Sequence, residues 1–154
     1  GTSRDEYAAY TENSAAYHRN MDRLIKKWHT AQDYVPAPQV YQKSNQSNYG
    51  MLFFGTSQYS SEEAMDMLKE KNMACDALRL KAFPFNQTVV DFIHSHEVVF
   101  VIEQNRDAQL KSLLMIELGI NPAKLVSVLN YDGMPITANF IYQQIFSSLT
   151  NSRN

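Results

Sequence analysis

Cysteine is almost missing from this 154-residue chain, with Cys75 standing alone. A single cysteine excludes an internal disulfide and any cysteine-ligated iron–sulfur cluster made by this chain by itself, and it suits a reducing compartment. An excess of one charge is missing too: 14 Lys and Arg face 16 Asp and Glu, for a formal net charge of −2. That balance leaves no electrostatic footprint for nucleic acid or an anionic membrane. No apolar run approaches the length of a membrane span, and no charged-then-apolar leader opens the chain. These absences predict a soluble, cytoplasmic protein. Glycine is scarce, at five residues. Gly1, standing where an initiator methionine would be, reads as a scar of tag cleavage, with the natural chain beginning upstream. The other four, Gly50, Gly55, Gly119 and Gly133, all fall at expected strand or helix ends, where a permissive backbone is useful.

What is present is a change of hydrophobic period between Val98 and Leu118. Val98–Ile102 is a continuous, mostly β-branched run that suits a strand buried on both faces. Glu103–Asp107 turns polar. From Asp107, read as the N-cap, the positions Leu110, Leu113, Leu114 and Leu118 recur at helical spacing until Gly119 stops them. This is a strand–loop–helix unit of a parallel sheet. Ligands and partners of such sheets meet the loops at the carboxyl ends of the strands, where Glu103, Asn105, Arg106, Asp107 and Gln109 would cluster.

The same alternation runs through most of the chain. Met51–Phe54 reads as a strand, followed by a helix with a capping-box pattern at Ser60 and Glu63. Cys75–Ala82 reads as a strand with one wet face, and Asn86 as the cap of the helix holding Val89, Val90 and Ile93. Lys124–Leu129 is the last strand, and Thr137 caps a helix carrying Phe140, Ile141, Ile145 and Leu149. The pattern predicts an α/β, three-layer, Rossmann-like domain over 49–150, with a mostly parallel sheet of four to five strands. Upstream, residues 1–48 form an extension. Residues 2–13 read as an extended segment ordered only by a partner, and Tyr17, Met21, Leu24 and Trp28 form a narrow apolar helical seam. Pro36 and Pro38 end that helix, and 42–48 is a polar linker. A seam of that width docks on another surface rather than building a core.

Few residue patterns carry chemistry. The Gly55-Thr56-Ser57 loop could offer amides and hydroxyls to an anion, but it is neither G-x-G-x-x-G nor a P-loop, and serines before a helix are ordinary capping residues. His94 and His96 stand two apart, a spacing open to two ligands on one side of an extended segment. Polar residues at a helix end are expected without any metal. Cys75 has Asp76 beside it, which raises a thiol pKa. No nucleophile elbow is present. The cluster around Glu103 is the best candidate site, read either as a cap at Asp107 with Glu103 and Arg106 paired, or as a surface facing a neighbouring domain or cofactor. Tyr131-Asp132-Gly133-Met134-Pro135 would share its edge.

The order of these motifs resembles a known family. GTSQYSSEEAMDMLKEKNM, ALRLKAFPFNQTVVDFI, VVFVIEQNRDAQLKSLL and NYDGMPIT are similar to the transketolase C-terminal-like domain of the α subunit of 2-oxoacid:ferredoxin oxidoreductases, of the 2-oxoglutarate or a related type. YHRNMDRLIKKWHTAQDYVPAPQVY resembles the helix and linker preceding it. The resemblance implies a parent enzyme that decarboxylates a 2-oxoacid on thiamine diphosphate with magnesium, passes electrons through iron–sulfur centres to ferredoxin, and transfers the acyl group to coenzyme A. It implies no cofactor and no catalytic residue in this chain, and as partners the N-terminal domains of the parent chain, a β subunit and, through the complex, ferredoxin. Gly55, Pro84, Glu103, Asn105, Gln109, Asp132 and Gly133 stand at the family's motif positions. Tyr59 or Ser60 replaces a second glycine of the family's first loop, and Met134 replaces a frequent arginine. Gly55, Thr56 and Ser57 are the candidate cofactor contacts. Trp28, Met21, Glu103, Asn105, Arg106, Asp107, Gln109, Asp132 and Gly133 are the candidate interface. The expected role is assembly, with the fragment inactive alone. The alternatives are a free-standing nucleotide- or coenzyme-binding module, or a docking domain that dimerises through the Trp28 seam.

Overall fold

In a computed structural model the described residues are 2–41 and 47–151. The expected scar at Gly1 and most of the polar linker, 42–46, lie outside them. The chain divides into two compact units, 1–36 and 37–154.

The first unit is a hairpin followed by a helix. β1 (Ser3–Arg4) and β2 (Tyr10–Thr11) pair antiparallel. The segment expected to need a partner thus closes on itself. Asp5 Oδ1 accepts the N–H groups of Tyr7 and Ala9, both at 2.9 Å, and Ala8 takes the left-handed φ of 66° that the turn requires. α1 (Ser14–Ala31) begins at Asn13, whose Oδ1 accepts from Ala16 N at 3.0 Å. Asn20, buried on α1, donates to the carbonyl of Arg4 and ties helix to hairpin. Tyr17, Leu24, Ile25 and Trp28 leave 40–56% of their surface exposed along the helix.

In the second unit the strands are β3 (Gln39–Tyr41), β4 (Tyr49–Phe54), β5 (Asp76–Leu80), β6 (Val98–Glu103) and β7 (Leu125–Leu129). Their order is β3-β5-β4-β6-β7, with β3 antiparallel and the rest parallel. The helices are α2 (Gln58–Glu70), α3 (Gln87–Ser95), α4 (Gln109–Leu118) and α5 (Ala138–Asn151). The four βα units expected from the alternation are present. The fifth strand comes from before the linker, so the sheet begins at Gln39 and the division between units lies at 36/37 rather than near 48.

Period-two alternation sorts each strand between two helix layers. Met51, Phe53, Phe100, Ile102 and Val128 pack with α2 and α5, through Met65, Leu68, Ile141 and Ile145. Leu52, Leu78, Val99, Val101 and Leu125 pack with α3 and α4, through Val89, Ile93, Leu110 and Leu114. The central strands are therefore buried on both faces, which is why they read as unbroken apolar runs. Gly50 lies inside β4, where an added Cβ would come within 3.0 Å of the Phe92 ring and 3.2 Å of His96.

Two expected caps differ in detail. α2 starts at Gln58, ahead of the Ser60–Glu63 pattern, and the Ser60 hydroxyl instead donates to Ile136 O at 2.7 Å. Asn86 has extended dihedrals before α3 but makes no capping bond, and its Oδ1 is buried without a partner. Thr137 does cap α5, accepting from Phe140 N at 3.2 Å. No helix among the described residues is long and apolar enough to cross a membrane.

Candidate functional site at the carboxyl edge of the sheet

The chain leaves β4 toward β5 on one side and leaves β6 toward β7 on the other, so the loops after β4 and β6 diverge. Between them lies the switch point at which sheets of this kind usually open a crevice. Here side chains bridge it. Gln104 donates through Nε2 to Thr56 Oγ1 at 3.0 Å and accepts at Oε1 from Ile136 N at 3.3 Å, joining the loops after β4, β6 and β7.

Glu103 ends β6 and is fully buried. Its Oε2 accepts from Leu110 N at 2.7 Å and Asn105 Nδ2 at 2.8 Å, and its Oε1 accepts from Lys111 N at 3.1 Å. A carboxylate here answers the unpaired amides and the positive end of the α4 dipole. Glu103, not Asp107, therefore caps α4, from six residues upstream of its first residue. Asp107 is exposed and pairs with its neighbour Arg106, Nε to Oδ1 at 2.8 Å, so the expected Glu103–Arg106 pair is replaced as well. Nor can the Glu103 carboxylate touch a partner while it is sealed in this position. Asn105 Oδ1 accepts from Asp107 N at 3.1 Å and Gln109 N at 3.3 Å, shaping the turn that ends at Ala108, whose φ of 50° and ψ of 49° are left-handed.

The loop after β7 is organised the same way. Asn130 N donates to Glu103 O at 2.9 Å, and Asn130 Nδ2 donates to Met134 O at 2.9 Å and Asp132 Oδ1 at 3.3 Å. Asp132 Oδ1 also accepts from Met134 N at 2.9 Å, and Gly133 takes φ of 85°. Asn130 and Gln104 were not singled out in the sequence. Each follows a strand end by one residue, and that position is the only signal of their role.

The Gly55–Ser57 segment forms one 3-10 turn, with Gly55 at φ 58° and Ser57 buried. Two concavities flank it. An apolar cleft of about 460 Å³ is lined by Phe54, Leu80, Phe83, Phe85, Leu110 and Leu113. A more polar groove of about 590 Å³ runs along Thr56, Gln104, Asn130, Tyr131 and Met134. Pro84, in the loop after β5, follows a cis peptide bond.

Exposed large apolar side chains gather on this edge. Among the described residues of the second unit they are Val40, Phe54, Tyr59, Phe83, Ile116, Tyr131 and Met134, and all but Val40 and Ile116 sit at carboxyl strand ends or in the loops and first helical turn after them. Exposed apolar side chains concentrated on one edge are a feature that interaction surfaces share.

At the opposite edge, His96 is buried with Nδ1 2.6 Å from Phe92 O and Nε2 3.4 Å from Asp76 Oδ2, while His94 is exposed, so the two do not converge. No group of three His, Cys, Asp or Glu side chains among the described residues could hold a metal. Cys75 is buried, and burial, with Asp76 adding to it, pushes its thiol up to about 12.

No family model and no curated protein matches the sequence. Solved structures match the fold. A 2-oxoglutarate:ferredoxin oxidoreductase from Magnetococcus marinus, solved with 2-oxoglutarate, coenzyme A and succinyl-CoA, superposes with a TM-score of 0.81 at 20% identity, over 94% of this chain and 25% of that one. The α chain of a probable 2-oxoacid ferredoxin oxidoreductase from Thermoplasma acidophilum gives a TM-score of 0.50 at 22% identity, over 73% of this chain and 97% of that one. A split-gene transketolase, an inactive β4 tetramer, gives 0.58 at 18% identity, over 73% of this chain and 41% of that one. The fold is thus the Rossmann-like, three-layer arrangement found in these oxidoreductase and transketolase chains. This chain spans a quarter of the length of the Magnetococcus protein it resembles.

Proposed function

We propose that this chain is the transketolase C-terminal-like domain of a 2-oxoacid:ferredoxin oxidoreductase α subunit, and that its task is to assemble and orient the catalytic domains. The observation that carries this reading is the carboxyl edge, where self-satisfied polar loops present Phe54, Tyr59, Phe83, Tyr131 and Met134 to a partner. The fold likeness to oxidoreductase chains, and the resemblance of the motif order, support the catalytic domains of such an enzyme as that partner. Among the described residues no group of three His, Cys, Asp or Glu side chains is placed to hold a metal, and the single thiol is buried. On this proposal thiamine diphosphate, magnesium and the iron–sulfur centres are held by the rest of the parent protein and its β subunit.

The test has two arms. The purified chain is assayed with 2-oxoglutarate, coenzyme A, thiamine diphosphate, magnesium and a viologen acceptor, and no turnover is expected. It is then mixed with the separately expressed remainder of the α subunit and the β subunit, where association is expected. Tyr131→Asp should weaken that association roughly 30-fold, the loss typical of a central aromatic anchor. Turnover by the chain alone, or no association with the remainder, would overturn the proposal.

A second reading, coenzyme binding at Gly55, Thr56 and Ser57, is favoured by the apolar cleft that borders Gly55. It predicts a melting shift that grows with coenzyme A concentration and disappears in Thr56→Ala with Ser57→Ala.

A further inference from the structure

We infer that the open edge of the sheet at β7 pairs with β7 of a second copy of this chain, joining two five-stranded sheets across a twofold axis at Ser127. β7 has one strand neighbour, β6. In that parallel ladder Asn130 N donates to Glu103 O. Successive residues of a strand turn their backbone groups to opposite sides, so Val126 and Val128 also face β6 while Ser127 and Leu129 face outward. Among the described residues, nothing bonds the backbone N–H or C=O of Ser127 or Leu129. An edge of unpaired donors and acceptors is a template for another strand.

The usual protections of an edge are missing. Leu125–Leu129 reads LVSVL, with no charge, proline or glycine. The opposite edge is blunted: β3 has three residues and follows Pro36 and Pro38.

The sequence of β7 names its occupant, because LVSVL reads the same in both directions. An antiparallel twofold centred on Ser127 sets Leu125 against Leu129, Val126 against Val128 and Ser127 against itself. The same centre serves all but one of the outward-facing groups of Ser127 and Leu129, the exception being the Leu129 carbonyl. The two Ser127 residues exchange N–H···O bonds, and each Leu129 N–H meets the Leu125 carbonyl of its mate, while Leu125 N is already held by Pro122 O. The antiparallel arrangement also sets Lys124, ahead of each strand and with its Nζ on His94 O at 3.2 Å, opposite Asn130 of its mate, so no like charges meet at the two ends. The β7 edge runs along the side of the sheet, so the dimer meets the carboxyl edge only at the start of the loop after β7, at Asn130, and leaves the loops after β4 and β5 clear.

The test uses the full chain. A hydrogen-bonded antiparallel pair sets its Cα atoms about 5.5 Å apart, within the span of a disulfide. Ser127→Cys should oxidise in air to a covalent dimer, while Ile116→Cys, on α4 and 78% exposed, should not at the same concentration. Buried Cys75 does not compete. In sedimentation equilibrium the unmodified chain should show twice the monomer mass, and Ser127→Lys, which places two like charges on the axis, should sediment as monomer with an unchanged circular dichroism spectrum. A monomeric unmodified chain, a Ser127→Lys chain that stays dimeric, or cross-linking no faster at Ser127→Cys than at Ile116→Cys would overturn the inference. None of these readouts depends on turnover or on association with other subunits.

Discussion

Glu103→Gln isolates the cap of α4 with almost no change of shape. The Glu103 carboxylate accepts three hydrogen bonds, from Leu110 N, Lys111 N and Asn105 Nδ2, in a fully buried position. A carboxamide has one acceptor oxygen. Whichever way it turns, its NH2 faces a donor, either Lys111 N or the pair formed by Leu110 N and Asn105 Nδ2. A hydrogen bond to a charged group contributes about 1.5–3 kcal/mol, and a buried donor left unpaired costs about 1–3 kcal/mol. The expected loss is about 3 kcal/mol, which in a domain of this size lowers Tm by about 10 °C. Urea denaturation gives the free energy, and hydrogen exchange at Leu110 and Lys111 locates it: those two amides should lose protection ahead of the core of β6. The partner experiment is Asp107→Asn, which removes only an exposed pair with Arg106 and should cost less than about 0.5 kcal/mol. Should Asp107→Asn prove the more damaging of the two, or Glu103→Gln cost under about 1 kcal/mol, the assignment of the cap would be wrong.

Cys75 should react with a thiol reagent only as the protein unfolds. Its folded pKa, near 12, lies above the ordinary thiol value, so its contribution to stability is complete below about pH 9 and is lost progressively from there toward pH 12, where Cys75→Ala should decline less steeply. Gly50→Ala drives a methyl group into the Phe92 ring and His96 and should destabilise by about 1–3 kcal/mol, the usual range for overpacking. Ala108→Gly should stabilise by about 0.5 kcal/mol in the same denaturation assay, because relief of the left-handed strain at φ 50° outweighs the added freedom of the unfolded chain.

The alternation of strands and helices was readable because each signal lies within its own element. Val98–Ile102 is apolar throughout because both of its faces are covered, and Gly119 marks the end of α4 because that position needs φ of 63°. What could not be read is what depends on distance. Glu103 caps a helix that starts six residues later, while Asp107, the residue whose type and position advertise a cap, points to solvent beside Arg106. β3 is three residues long, too short for any period to emerge, and joins the sheet only because β5 offers it an edge. The hairpin at the N-terminus turns on Asp5 and on a left-handed Ala8, a residue type that carries no turn signal. Gln104 is a polar residue in a polar loop, and only the folded positions of Thr56 and Ile136 give it a task.

That task bears on how the carboxyl edge meets anything else. Loops at such an edge are ordinarily the looser parts of a fold, and ordering them on contact takes free energy away from association. Here Gln104, Asn130 and Glu103 fasten the loops after β4, β6 and β7 to one another before any contact is made. The surface they form is a keyed face cut in advance: on the proposed assembly role, a matching body would need to expel water from Tyr131 and Met134 without first ordering the loops that carry them.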